Sequence, residues 1–353
     1  MSVFDVEQLV LDMRVVQLPL RTRFRGVTER EIALFPGPFG WGEFGPFLEY
    51  APAESSRWLA SAIEAAHVGW PEPVRGSVQV NATVPAVAAG EVAGVLARYD
   101  GTLTAKVKVA EPGQRLSDDL DRVAAVREAM GPDARIRVDA NGGWSVEQAT
   151  DALGRLAAYG LEYAEQPCAT VEELRDLRIT LARNGIDVPV AADESIRKAE
   201  DPLRVARLEA ADVIVVKVAP LGGVRRALDV VAETGLPAVV SSALDSSVGI
   251  RAGLALAAAL PRLDHACGLA TLGLFDGDVV TESLVPQGVR SPCARSSPTR
   301  SCSTAGPHPT TGERGGRTGC GRRTPCSRIS CTGERNAERA PGFRSGPLHF
   351  VRW

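Results

Sequence analysis

Between residues 77 and 270 the chain alternates two hydrophobic patterns. Short apolar runs rich in Val, Ile and Ala read as buried strands over 77–84, 104–110, 135–141, 162–167, 188–195, 213–220, 237–246 and 264–270. Between them, apolar residues recur at helical spacing. Residues 117–130 open on Ser117-Asp118-Asp119, an N-cap signal, and turn Leu120, Val123, Ala124 and Met130 towards one side. Residues 171–182 and 224–234 repeat that pattern.

Polar residues mark the ends of the runs at a steady interval. From Lys108 they fall at Asp139, Glu165, Asp193, Lys217, Ser242 and Gly268, separated by 31, 26, 28, 24, 25 and 26 residues. One strand and one helix per repeat indicates parallel βα units. Eight strands close as an α/β fold of the (β/α)8 barrel type. Each marked residue then lies at the C-terminal end of its strand, where barrel enzymes carry their chemistry. An open doubly wound sheet is the alternative, but no Gly-x-Gly-x-x-Gly follows a strand.

Residues 1–76 read differently. Stretches 9–18 and 28–35 look like antiparallel strands, Gly40-Trp41-Gly42-Glu43-Phe44-Gly45 like a tight turn, and 56–66 like a helix. The expected organisation is an α+β capping domain over 1–76, a barrel over 77–285 and a tail over 286–353.

Charge separates the tail from the rest. The whole chain carries −3 with 44 % apolar residues, an ordinary globular composition. The tail holds 12 Arg, 3 Glu and no Lys or Asp, a balance of +9, which leaves −12 on the first 285 residues. It also holds five of the seven cysteines and too few large apolar residues to build a core. A basic nucleic-acid arm is one reading, but interleaved aromatics and Cys-x₂₋₄-Cys zinc spacing are both missing. The Arg/Pro/Gly/Ser/Thr/Cys mixture is also what a GC-rich gene gives when read out of frame, and a disordered tail of that origin is the preferred reading. Before residue 286 only Cys168 and Cys267 remain, which fits a reducing cytoplasm. No apolar N-terminal leader and no run near the roughly 18–20 residues of a membrane span is present. The expected partner is therefore a small molecule, with no nucleic acid and no membrane.

Arginine supplies 36 of the 40 basic residues, so the four lysines stand out. Lys106, Lys108 and Lys217 lie in strand-like runs, and Lys198 follows Asp193-Glu194-Ser195. Arginine is effectively always protonated, whereas a buried lysine can lose its proton and act as a base. Residues two apart on a strand share a face, so Lys106 and Lys108 both point into the barrel mouth, as do Asp139 and Asn141. Asp139, Glu165 and Asp193, on three successive strands, converge there. Three like charges need a cation, and hard oxygen donors without nearby Cys or His select Mg²⁺. Lys108 and Lys217 would approach a metal-held carboxylate substrate from opposite faces and serve in proton transfer.

Lys106-x-Lys108, Asp139-x-Asn141, Glu165-Gln166-Pro167, Asp193-Glu194-Ser195 and the sixth-strand Lys217, in this order, resemble the muconate-lactonising-enzyme subgroup of the enolase superfamily. Residues 18–26, 40–44 and 241–249 narrow the likeness to its o-succinylbenzoate synthase family. The resemblance spans about residues 8–285. It implies Mg²⁺-dependent dehydration of 2-succinyl-6-hydroxy-2,4-cyclohexadiene-1-carboxylate to 2-succinylbenzoate in menaquinone biosynthesis. In that scheme Lys108 removes the α-proton and later returns it to the leaving hydroxyl. Lys217 steadies the intermediate from the other face, and Lys106 pairs with the metal-bound carboxylate. Ser242 and Gly268 hold the succinyl side, with Asn141 as a further substrate contact. Arg21, Arg23 and Arg25 sit on a loop that resembles the family's substrate cover, Arg23 being the candidate contact. His265 and Glu43 read as structural. N-acylamino-acid racemisation or dipeptide epimerisation would use the same metal and both lysines, and muconate cycloisomerisation is a third option. After residue 285 the likeness stops, and the eighth strand is expected to lack a covering helix.

Overall fold

The computed structural model describes residues 6–99, 101–197 and 201–286. Lys198 and all of the tail except Pro286 lie outside the described residues.

The N-terminal sheet is antiparallel in the order β1 (Arg14–Phe24), β2 (Val27–Gly37) and β3 (Gly40–Phe44). Two expectations are corrected here. The run from residue 9 is not one strand: Val6–Asp12 is a helix, and β1 starts at Arg14. Gly40–Phe44 is not a turn but the third strand, with Gly42 opposite Phe35. Gly42 serves close approach, because a Cβ there would collide with the Ala62 carbonyl of the helix Pro52–Ile63 packed beneath.

The second sheet is parallel, with neighbours in chain order: β4 (Ala82–Val84), β5 (Thr104–Lys108), β6 (Arg135–Asp139), β7 (Leu161–Glu165), β8 (Val190–Ala192), β9 (Val213–Lys217) and β10 (Ala238–Ser241). The expected eighth strand over 264–270 is reduced to two parallel bridges, Val80↔Cys267 and Ser241↔Gly268. Asn81 N–H donates to Cys267 O at 2.9 Å and Gly268 N–H to Val240 O at 2.8 Å, so this segment stitches the two edges together. Gly268 is needed at the seam, since a Cβ there would lie 2.5 Å from Ser241 Oγ. Among the described residues no α-helix follows this segment. A 3₁₀ turn, Thr271–Leu274, follows, and Phe275 then bridges Leu20 of β1.

Alternation along the strands divides the barrel. Outward residues such as Val107, Val138, Ala164, Ile214 and Val240 join helix residues Val123, Leu153, Leu174 and Leu256 in the main core. Inside, Tyr163, Ala191, Val213, Val215 and Val239 form a smaller apolar cluster. Beside it stand the inward polar residues Lys106, Arg137, Asp139 and Glu165, all buried.

Two carboxylates tie the N-terminal domain to barrel helices. Glu43 of β3 accepts from the backbone N–H of Ser246 at 3.2 Å and of Gly249 at 2.9 Å, and from the Ser246 hydroxyl, at the start of the helix Ser247–Ala259. Burial, then the nearby Asp245 carboxylate, pushes Glu43 up to about 8. Glu64 accepts from the N–H groups of Val224 and Arg225 at the start of the helix Val224–Thr234. Both exploit unpaired N–H groups at a helix N-terminus. His265 pairs with Glu162 at 2.9 Å, beside Arg137. Among the described residues no helix is long and apolar enough to cross a membrane.

Candidate active site

Parallel register sets the site. Lys108, Asp139 and Glu165 are successive Cα partners across β5, β6 and β7, so their side chains emerge in one row at the strand ends. Asp193 follows β8, and Lys217 ends β9. Just past the strand ends, Ala110, Asn141, Gln166 and Leu244 adopt positive φ of 59°, 48°, 37° and 59°. Left-handed backbone costs an ordinary residue about 1–2 kcal/mol, so strain gathers on this face of the barrel.

The strained Gln166 has a visible purpose. Its side-chain oxygen accepts from Asp193 N–H at 2.9 Å and Ser195 N–H at 3.2 Å, and its amide donates to Ser195 Oγ and Cys168 O, each at 2.9 Å. The Glu-Gln-Pro motif therefore fixes the loop that carries Asp193.

Lysines and carboxylates meet at short range. Lys106 Nζ lies 2.8 Å from Glu165 Oε1 and 3.0 Å from Asp139 Oδ2. Lys108 Nζ donates at 2.6 Å to both Asp139 Oδ2 and Asn141 Oδ1, and Lys217 Nζ lies 2.5 Å from Asp193 Oδ2. Burial disfavours the charged forms of Asp139 and Asp193. Lys106 and Lys108 outweigh it at Asp139, and Lys217 and Arg197 do so at Asp193, holding both well below the usual carboxylate range. Burial, then the Asp139 carboxylate, pushes Glu165 up to about 7. Burial lowers Lys217, with Asp193 opposing and Arg197 reinforcing the shift. At Lys106 burial is overcome by Asp139 and Glu165, which hold its pKa above the ordinary value.

The three acids thus stand in a row but do not form one ligand cluster. Among the described residues no group of three or more His, Cys, Asp or Glu side chains is gathered to hold a metal. The lysines pair the acids off instead. The donor set still suits a hard divalent cation. It is all oxygen, burial and then the crowding of Asp139 and Asp193 raise Glu165, and the neighbouring Glu194 has a buried Oε2 with no partner among the described residues.

Above the row lies a small, partly open cavity. Lys106, Lys108, Asp139, Asn141, Lys217, Ser242 and Gly268 line it, so most of the expected site residues share one space. Glu165 and Asp193 are buried beneath it, 1 % and 0 % exposed. Ser242 Oγ donates to Gly268 O at 3.1 Å and lies 2.7 Å from Thr271 Oγ1. Arg23 does not line the cavity. It is exposed and donates to Gly26 O at 3.4 Å. Arg25 lines it instead, because the two-residue hairpin Arg25-Gly26, both at positive φ, turns Phe24 and Arg25 over the barrel mouth. There its guanidinium stacks 4.2 Å from the Phe47 ring centre.

Residues 15–66 match the family model described as enolase N-terminal domain-like, and residues 62–292 match the one described as enolase C-terminal domain-like. The chain is 61 % identical over 282 residues to an o-succinylbenzoate synthase of Mycolicibacterium smegmatis, covering 80 % of this chain and 85 % of that one. A Mycobacterium tuberculosis protein of the same description is 61 % identical over 275 residues, covering 78 % and 82 %. The chain belongs to the o-succinylbenzoate synthase family of the enolase superfamily. Solved structures agree on the fold. The L-Ala-D/L-Glu epimerase of Bacillus subtilis superposes with a TM-score of 0.63 at 22 % identity, covering 76 % of this chain and 90 % of that one. The muconate lactonizing enzyme of Pseudomonas putida gives 0.61 at 21 %, covering 77 % and 90 %.

Within this family frame, sequence reading missed Arg197, Tyr50, Thr271 and the aromatic pair Phe24 and Phe47. Arg197 lies four residues after Asp193, a spacing that brings side chains together on a helix. It was masked by the abundance of arginine. Tyr50 carried no local signal, since its partner Arg197 is 147 residues away.

Proposed function

We propose that this chain is a hydro-lyase that converts 2-succinyl-6-hydroxy-2,4-cyclohexadiene-1-carboxylate to 2-succinylbenzoate, in menaquinone biosynthesis. The observation that carries the proposal is Lys108 and Lys217 lining one cavity above the carboxylate row, in a chain 61 % identical to relatives named for this reaction.

Asp139, Glu165 and Asp193 would hold Mg²⁺, which, when bound, supplies positive charge against the negative charge developing on a substrate carboxylate. Lys106 faces that carboxylate and adds a second cation. Lys108, as the free amine, takes the α-proton. The electron pair left behind expels the β-hydroxyl, and Lys108 returns the proton so that the hydroxyl departs as water. Lys217 stands on the opposite face as an ammonium that steadies the developing charge. Ser242 and Gly268 offer polar groups to the succinyl arm, Asn141 orients Lys108, and Phe24, Arg25 and Phe47 exclude water from above.

The test is a spectrophotometric dehydration assay on the full chain, with Mg²⁺ and with EDTA. Turnover that needs Mg²⁺ and disappears in Lys108→Ala supports the proposal. A folded chain without turnover overturns it. Two lysines on one cavity also suit a 1,1-proton transfer, so deuterium exchange into N-acylamino acids is measured in parallel.

A further inference from the structure

Arg197 is 3 % exposed, yet its guanidinium reaches in three directions. Its Nε donates to Asp193 Oδ1 at 3.1 Å, its Nη2 to Glu194 Oε1, and its Nη1 to the Tyr50 hydroxyl. Asp193 Oδ2 is 2.5 Å from Lys217 Nζ. Glu194 Oε1 also accepts from Asn141 Nδ2 at 3.2 Å, and Asn141 Oδ1 accepts from Lys108 Nζ at 2.6 Å. One unbroken chain of contacts therefore runs Lys217, Asp193, Arg197, Glu194, Asn141, Lys108, with Arg197 at its centre. Tyr50 comes from the N-terminal region just before the helix Pro52–Ile63. Its ring packs against Trp58 and Phe47, with centroids 5.7 and 6.3 Å apart.

We propose that Arg197 is a positioning residue that fixes Asp193 and Glu194 together and, through the Tyr50 hydroxyl, makes their geometry depend on the seating of the N-terminal domain. The inference rests on the reading of Asp193 as a metal ligand. Arg197 uses three separate nitrogens at fixed angles for its three acceptors, whereas a lysine gathers all its donors on one nitrogen and cannot span the same three positions. With Asp193 Oδ1 held by Arg197, Oδ2 is turned to the side where Lys217 Nζ lies 2.5 Å away, and a bound cation would share that oxygen. Partners that orient ligands in this way are worth roughly 10–100-fold in metal affinity or activity.

The experiment uses Arg197→Lys, Tyr50→Phe and the double variant of the full chain. Mn²⁺ binding, followed by electron paramagnetic resonance, is the primary probe, with kcat and KM for dehydration beside it. Arg197→Lys is expected to weaken Mn²⁺ binding roughly 10–100-fold and to lower kcat more than it raises KM. Tyr50→Phe keeps the ring packing and is expected to act in the same direction by a smaller factor. The double variant is expected to be no worse than Arg197→Lys, because both changes break one linkage. Parental Mn²⁺ affinity in the folded variants, or effects that simply multiply, overturns the inference while leaving the dehydration reading intact. A parent chain that neither binds Mn²⁺ nor dehydrates the substrate overturns both.

Discussion

Replacing Lys106 by Met should make the fold depend on a divalent cation. Lys106 is the ammonium shared by Asp139 and Glu165, whose side chains are each 1 % exposed. Asp139 keeps Lys108, but Glu165 loses its ion-pair partner. Methionine keeps the length of the chain and removes the charge. Removing one partner of a buried pair costs about 3–5 kcal/mol, because the remaining charge stays in a poor solvent. With an unfolding entropy of about 2.1 cal/mol/K per residue over the roughly 280 described residues, that is a fall in Tm of about 5–8 °C. A cation bound at the same carboxylates replaces the missing charge and stabilises the folded state by mass action. Calorimetric melting in EDTA and in millimolar Mg²⁺ reads both effects. Lys106→Met should melt well below the parent in EDTA and recover more than the parent gains when Mg²⁺ is added. A variant that melts like the parent in EDTA, or an equal gain from Mg²⁺ in both, refutes the electrostatic account of this row.

Lys108→Ala should lower kcat by about 10²–10⁴-fold, the usual scale for a lost general base, while Mn²⁺ affinity stays within a few-fold of the parent; a surviving rate would remove Lys108 from its role. Glu43→Gln should flatten the pH dependence of stability. Folding takes up a proton at Glu43, whose carboxyl rises from 4.5 to about 8, so parent stability falls across that pH window at up to about 1.4 kcal/mol per unit, which urea midpoints measure. Gly42→Ala should destabilise by about 1–3 kcal/mol, because the new methyl meets backbone of the helix Pro52–Ile63 that cannot swing aside. An unchanged urea midpoint would show that β3 and that helix can separate freely.

Much of the barrel was legible because local patterns carry it. The alternation within 104–110 and 135–141 sends Lys106, Lys108 and Asp139 to the same side, and the structure lines one cavity with all three. The steady repeat of strand and helix set a parallel sheet in chain order, as observed. Glycine was less legible. At Gly42 it marks close approach of a helix, and the same residue type in Gly40–Gly45 reads locally as a turn.

By itself the sequence determined which residues face inward and the order in which they meet the barrel mouth, because side-chain parity and repeat length are properties of the local chain. Only the tertiary structure decided which charges pair. Lys106 lies between Asp139 and Glu165, Arg197 reaches Tyr50, Glu43 and Glu64 meet helix starts that lie 160 to 206 residues away, and Arg25 rather than Arg23 overhangs the cavity. Those choices depend on strand register, barrel closure and the seating of one sheet on another. Such contacts are fixed by packing across the whole molecule and leave no periodic trace along the chain.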